Sequence, residues 1–410
     1  MTRRVIGRVV EGGTLLPPFT DAHVHLGLVD ATALLPHGIA AVHDLGWVPD
    51  VAATWARDAE YSGLPEVAFA GAFLTAPGGY PSDRSWAPHG SVAEVSSPDQ
   101  AVAAVDRQLA AGASFVKVAL NSEAGPLPDD VTLAAIVARA HERGRDVVAH
   151  AEGPGQVARA FEAGVDRLAH APFSERLPDD LILAMARPGP HPRAEHDAAC
   201  GRARPEGRNA PGNDPQVVIG TVPVSRTTWV STLDIHGWGT PTPAQDVAID
   251  NVRRFAAAGG TVVYGTDLGN GPLPVGVNER ELRALTAAGF GPEALVRALT
   301  STTSSNSTRP ANSTRPAAST RPAGSTRPAA STLPVTSALP AEHDLEDGTS
   351  RGTTARSCSA ERVTFVPGAQ PDDPDDLPRW LAGASTLHLD DVLRPGFTPP
   401  SGTTTRKDQP

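Results

Sequence analysis

The feature that most narrows what this chain can fold into is an alternation. From Phe19 to about Ala288, short β-rich runs alternate with stretches of helical periodicity. Eight strand-like runs can be read: FTDAHVH, IAAVHDLG, VAFAGAFLT, SFVKVAL, DVVAHAE, RLAHAPF, TWVSTLDI and TVVYGTDLG. Between them, apolar residues recur on one helical face. Val102, Val105 and Leu109 do so before the fourth run; Leu133, Ile136, Val137 and Ala140 before the fifth; and Ala248, Val252 and Phe255 before the eighth. Three of these stretches, 97–112, 129–144 and 242–259, open on a Ser, Asp or Thr suited to an N-cap and close on Gly. Eight strands each followed by a helix predict an α/β chain folded as a (β/α)8 TIM barrel.

Two regions fall outside that pattern. Residues 188–227 are rich in Pro, Arg, Gly and Asn and lack periodicity, so they are expected to be a disordered insertion. From 301 to 340 the chain repeats every six residues as STRPA, with Arg309, Arg315, Arg321 and Arg327 in register. Pro in every repeat and the lack of a buried aliphatic position exclude a β-helix and predict an extended, solvated linker. Residues 341–410 hold one stretch of globular character, LPRWLAGASTLHLDDVL, and are otherwise expected to be a mostly disordered tail. The predicted organisation is therefore a barrel over 1–300, a linker over 301–340 and a tail over 341–410.

Charge and cysteine usage limit the partners. A formal net charge of −11 argues against a nucleic-acid partner, which requires a basic face. The two cysteines, Cys200 and Cys358, cannot form a disulfide framework, as suits a reducing compartment. No apolar run has the length of a signal peptide or a membrane span, so the reading is a soluble, cytoplasmic protein with no membrane partner, acting on a small molecule.

In a (β/α)8 barrel the active site lies at the C-terminal ends of the strands. The polar residues expected there are His23 and His25 on the first strand, Lys117 on the fourth, His150 on the fifth, His170 on the sixth and Asp267 on the eighth. Alternate residues of a strand share a face, so a His-x-His pair sets two imidazoles side by side. Each of the six sits in an apolar run where a bare charge or imidazole is costly, and their coincidence predicts a metal site. Imidazole and oxygen ligands without thiolate suit zinc, or Mn, Fe, Co or Ni. Lys117 is the anomaly, because an ammonium has no lone pair to offer. At lower weight, Tyr80, His236, Trp238 and His43 are candidates for substrate contact, the first three on loops after strands three and seven. His141 is expected to pack between helices.

The motifs LLPPFTDAHVHL, FLTAPGGYP, SFVKVAL, AHERGRDVVAHAEG, AGVDRLAHAPF and YGTDLGN together resemble the amidohydrolase superfamily, in its binuclear-metal branch of imidazolonepropionase-like and prolidase-like members. The resemblance runs over roughly residues 15–301. It implies that Lys117 is N6-carboxylated and bridges two divalent ions. One ion would be held by His23, His25, Lys117 and Asp267, the other by Lys117, His150 and His170. A bridging hydroxide would be the nucleophile and Asp267 the proton shuttle, in hydrolysis of a C–N bond outside ordinary peptides or of a related ester or lactone.

The chain departs from the family in two places. Relatives carry a small β-sandwich built from residues on both sides of the barrel, and here both halves are expected to be largely absent. The exposed barrel faces would then favour a homo-oligomer. Two other readings stand beside the binuclear one. The first is a mononuclear deaminase, imidazolone-type hydrolase or lactonase of the same superfamily, and the second an inactive truncated homologue. Deaminases often place a Glu three residues after the strand-five histidine, and here Glu152 follows His150 by two.

Overall fold

A computed structural model describes residues 6–187, 227–301, 361–394 and 396–398. Each of the eight expected strand runs contributes a strand. They are β3 (Phe19–Val24), β4 (Ile39–Asp44), β5 (Glu66–Phe69) with β6 (Phe73–Thr75), β8 (Val116–Asn121), β9 (Val147–Glu152), β10 (Arg167–Leu168), β11 (Thr228–Val230) and β12 (Thr261–Val263). The third run divides: β5 pairs with β4, whereas β6 pairs with β8 and with an unanticipated β7 (Val92–Glu94). Gly71, at φ +76°, makes the turn between the two halves, a conformation that glycine adopts without steric cost.

All of these strands pair in parallel, in a seven-stranded sheet ordered β12-β11-β10-β9-β8-β6-β7 and a three-stranded sheet β3-β4-β5. Backbone hydrogen bonds also cross from one sheet to the other on both sides. On one side Ala22 donates to Tyr264 O at 3.0 Å and Asp267 to His23 O at 2.8 Å; on the other Ser114 donates to Phe69 O at 2.8 Å. The strands read as continuous apolar runs because both of their faces are covered.

The helices between strands are α1 (Pro49–Asp58), α2 (Pro98–Ala110), α3 (Asp130–Glu142), α4 (Gln156–Ala163), α5 (Asp179–Ala186), α6 (Pro243–Ala257), α7 (Glu279–Ala287) and α8 (Pro292–Thr300). The anticipated caps form. Ser97, Asp129 and Thr242 accept from the amides of Gln100, Thr132 and Gln245, satisfying donors that the first turn leaves free. The predicted apolar faces of α3 and α6 are buried; on α2 Val105 is buried while Val102 and Leu109 are half-buried, the buried face running through Ala101, Ala104, Val105 and Gln108. Trp229 stacks on Phe255 of α6 at 3.8 Å between ring centroids.

The ends of the chain correct the sequence reading. β1 (Arg8–Val10) and β2 (Gly13–Leu16) join β13 (Arg362–Pro367) and β14 (Ser385–His388) in an antiparallel sheet ordered β1-β2-β13-β14. Two short helices, α9 (Leu377–Ala382) and α10 (Leu389–Val392), lie in the same segment. So the small sheet expected to be largely absent is present, and residues 361–394, part of the tail expected to be mostly disordered and including its one stretch of globular character, are structured. Phe365, Leu15 and Val392 form its own small core. Arg362 and Thr364 tie it to the parallel strands through Ala40 O, Leu64 O and the Phe19 amide. Of the insertion expected at 188–227 residues 188–226, of the linker expected at 301–340 residues 302–340, and of the tail residues 341–360, 395 and 399–410 lie outside the described residues. No helix among the described residues is long and apolar enough to cross a membrane.

Candidate metal centre

Five of the six predicted ligands sit where strands end. His23 is the penultimate residue of β3, and His25 follows it. His150 lies late in β9, while His170 and Asp267 lie just beyond β10 and β12. Lys117 does not stand at a strand end: it is the second residue of β8, level with Val148, two positions below His150. Its flexible stem makes up part of the difference, for the ammonium is close enough to feel both Asp267 and Asp44.

The cluster is tight. Candidate ligand atoms of His23, His170 and Asp267 lie within 4.8 Å of one another. Asp267 Oδ1 is 3.1 Å from His23 Nε2 and 3.2 Å from His25 Nε2. Yet Nε2 of His23 and Oδ1 of Asp267 are buried without a hydrogen-bond partner. The outer face of each ring is held. Nδ1 of His23 donates to Ala169 O at 2.8 Å and Nδ1 of His25 to Gly46 O at 3.2 Å, and Nδ1 of His170 lies 3.0 Å from Thr232 Oγ1. Asp267 adopts φ +58°, and its Oδ2 accepts from Asn270 Nδ2 at 2.8 Å.

His150 stands slightly apart. Its ring centroid is 4.8 Å from that of His170, but Nε2 faces Glu152 Oε2 at 2.9 Å, and the same carboxylate accepts from Asn121 Nδ2 at 2.7 Å.

Burial shapes the charge states. It drives the His23 and His170 imidazoles well below the ordinary histidine range, so both are neutral and able to offer a lone pair. Burial alone raises the Asp267 carboxyl, and only positive charge shared with the facing His23, His25 and His170 pulls it well below the usual range. The Lys117 ammonium, 1% exposed, is pushed down to about 7 by burial against the pull of Asp267 and Asp44.

The candidates for substrate contact divide. Tyr80 stacks on His150 at 5.0 Å, and His236 packs on Phe173 at 4.2 Å, its imidazole pushed down to about 4 by burial against the pull of Asp267 and Glu152. Trp238 is 46% exposed and donates from its indole to Asn270 O at 3.3 Å, bridging two loops. His43 is not with them. Its ring lies against Phe115 at 5.0 Å, and burial beside Arg167 takes it to about 3. His141 bonds Asp166 at 2.8 Å, tying α3 to the turn before β10.

Sequence reasoning missed Trp86, whose ring lies 6.0 Å from His25 and 6.4 Å from Tyr80, and also Phe173, Asn121, Thr232 and Asn270. Asn121 closes β8 and the other four follow strands, and position at or after a strand end was the one signal available for them.

No family model and no curated protein matches the chain. Solved structures do. A "putative prolidase" from Bifidobacterium longum aligns over 70% of this chain and 68% of its own at 22% identity and TM-score 0.52. A Xaa-Pro dipeptidase with methionine bound in its active site aligns over 70% and 74% at 18% identity and TM-score 0.50. Ochratoxinase of A. niger aligns over 70% of both chains at 17% identity and TM-score 0.50. At such identities the likeness is one of fold: this chain is built on the α/β scaffold of these prolidase and ochratoxinase structures, as its resemblance to the amidohydrolase superfamily implies.

Proposed function

We propose that this chain is a metal-dependent hydrolase of small-molecule C–N bonds outside ordinary peptides, built on a (β/α)8 barrel closed across its two parallel sheets. The backbone bonds between the sheets on both sides support closure, as does the fold likeness. One observation carries the functional reading: His23, His170 and Asp267 converge within 4.8 Å, and buried donor atoms among them lack partners. A buried polar atom left unpaired costs about 1–3 kcal/mol, and a divalent cation satisfies several at once. The donor set is nitrogen and oxygen without thiolate, which fits zinc and also suits Mn, Fe, Co or Ni.

His23, His25, Lys117 and Asp267 would hold one ion, and Lys117, His150 and His170 a second. When bound, the metal supplies Lewis acidity and a water acidic enough to act as nucleophile at neutral pH.

The chain's own groups do the rest. Asp267, an anion anchored through Oδ2 by Asn270, takes the proton of the attacking water and passes it to the leaving nitrogen. Lys117 is a cation poorly placed among imidazoles. As the neutral amine it can add carbon dioxide, forming an N–C bond and releasing one proton, and the resulting carbamate is an anionic ligand. Tyr80 and Trp86 on one side, and Phe173, His236 and Trp238 on the other, offer flat faces that shield the centre from water and stack on planar parts of a substrate. His43 has no role in this reading.

A second reading, with one ion, is favoured by His150, whose Nε2 is engaged by Glu152 at 2.9 Å. Elemental mass spectrometry of protein grown with zinc or manganese and bicarbonate separates the two. About two ions per chain, with hydrolysis in a panel of acyl-amino acids, dipeptides, cyclic amides and lactones, supports the binuclear enzyme. One ion moves the assignment to the mononuclear form. Folded protein that takes up no metal refutes both.

A further inference from the structure

We infer that Thr232 is a positioning residue that sets the tautomer and aim of His170, and through it the affinity of the metal centre; the inference rests on the metal reading above. His23 and His25 each direct Nδ1 at a backbone carbonyl, which only accepts. Each carbonyl thereby holds a ring proton on Nδ1 and leaves Nε2 facing Asp267. His170 differs: its Nδ1 meets a hydroxyl, Thr232 Oγ1, at 3.0 Å. A hydroxyl can give or take a proton. Only when Oγ1 accepts does His170 keep its lone pair on Nε2.

The backbone around Thr232 is built to bring that hydroxyl there. Thr232 is fully buried at φ +40°, a left-handed conformation that strains a β-branched residue. It is held there from several directions. Its amide donates to Gly265 O at 2.9 Å, and the Ser231 hydroxyl contacts the same glycine at 3.3 Å. Buried Glu281 accepts the Asp234 amide at 2.8 Å, and Gln245 donates to Leu233 O at 3.1 Å. Gly265 itself has no room for a side chain: a Cβ there would lie 2.3 Å from Val230 and 3.1 Å from the His23 amide. Segment 231–234 is thus clamped onto the strand that leads to Asp267, with its one strained residue facing a candidate ligand.

The test compares Thr232→Val, which keeps the shape and β-branching but cannot accept, with Thr232→Ser, which keeps the hydroxyl. Zinc affinity is read by competition with a chromophoric chelator, and the His170 tautomer by ring 15N shifts of metal-free wild-type protein. Thr232→Val is expected to weaken zinc binding by about 10- to 100-fold, Thr232→Ser to retain wild-type affinity, and the wild-type ring to carry its proton on Nδ1. Equal affinity in Thr232→Val and wild type overturns the inference while leaving the metal centre standing, and so does a wild-type ring protonated on Nε2, which needs no variant to fold. Wild-type protein that binds no zinc overturns the metal reading and this inference together.

Discussion

Glu281 offers a perturbation whose size follows from its surroundings. It lies in the first turn of α7, fully buried, and Oε2 accepts the Asp234 amide at 2.8 Å. Burial, opposed by bonds from Leu233, Ser231 and Asp234, raises its carboxyl from 4.5 to about 7. A carboxyl that holds its proton more tightly when folded stabilises the fold at low pH. That contribution is whole below about 4.5, declines as pH rises and is gone above about 7. Each pH unit in the window is worth about 1.4 kcal/mol, so the window as a whole carries about 3 kcal/mol. Glu281→Gln removes the titration and keeps the side chain's shape. Urea unfolding of wild type and variant across this range, with chelator present so that metal binding adds no pH dependence, gives a difference in stability at each pH. Asp21, also raised to about 7 by burial, is common to both proteins and cancels. The difference should move in the variant's favour by about 3 kcal/mol between the two limits. A difference that stays constant with pH refutes the assignment of a protonated Glu281.

Three other outcomes are expected. Lys117→Ala should lower metal content from about two ions per chain to about one under the binuclear reading, and leave it unchanged under the mononuclear one; elemental mass spectrometry decides. Trp229→Ala removes a fully buried indole stacked on Phe255 at 3.8 Å and should cost about 3–5 kcal/mol in denaturant unfolding. Deleting residues 361–410 strips β13 from β2 and uncovers Leu15 and Leu16, so the shortened chain should bind a hydrophobic dye and sediment as aggregates; a monodisperse product with the wild-type melting temperature contradicts this.

All the parallel strands but β7 were legible because they fall in short β-rich runs between helical stretches, and the helices because Ser97, Asp129 and Thr242 cap them. The antiparallel sheet was not. Its central pairing joins Leu15 to Phe365 across most of the chain, and strands of four to six residues carry too little local pattern to announce a partner that far away. Buried imidazoles in apolar runs marked His23 and His170, which converge with Asp267. For His43, a low-weight candidate, the same signal left the depth open: a strand position gives the face of a side chain but not its depth, and His43 lies against Phe115 and Arg167. Lys117 was read at a strand end and lies near a strand start. Trp86, Phe173 and Thr232 sit on loops, whose paths follow from packing rather than from periodicity.

The candidate centre is a property of the seam between two sheets more than of any motif. His23 arrives on β3, the edge of one sheet, with His25 just past its end, and Asp267 follows β12, the edge of the other. The buried carboxylate of Asp21 joins them: Oδ2 accepts from the Thr266 hydroxyl at 2.6 Å, and Oδ1 from the amides of Thr266 at 3.0 Å and His23 at 3.1 Å. The Asp267 amide then bonds His23 O at 2.8 Å, and its left-handed backbone turns the carboxylate back toward both imidazoles. Shape and charge therefore arise together there. The seam that excludes water also strips His23 of its proton and leaves its lone pair facing an anion, an arrangement that is costly without a cation and stable with one. A His-x-His pair supplies half of that arrangement, and the register of two distant strands supplies the other half.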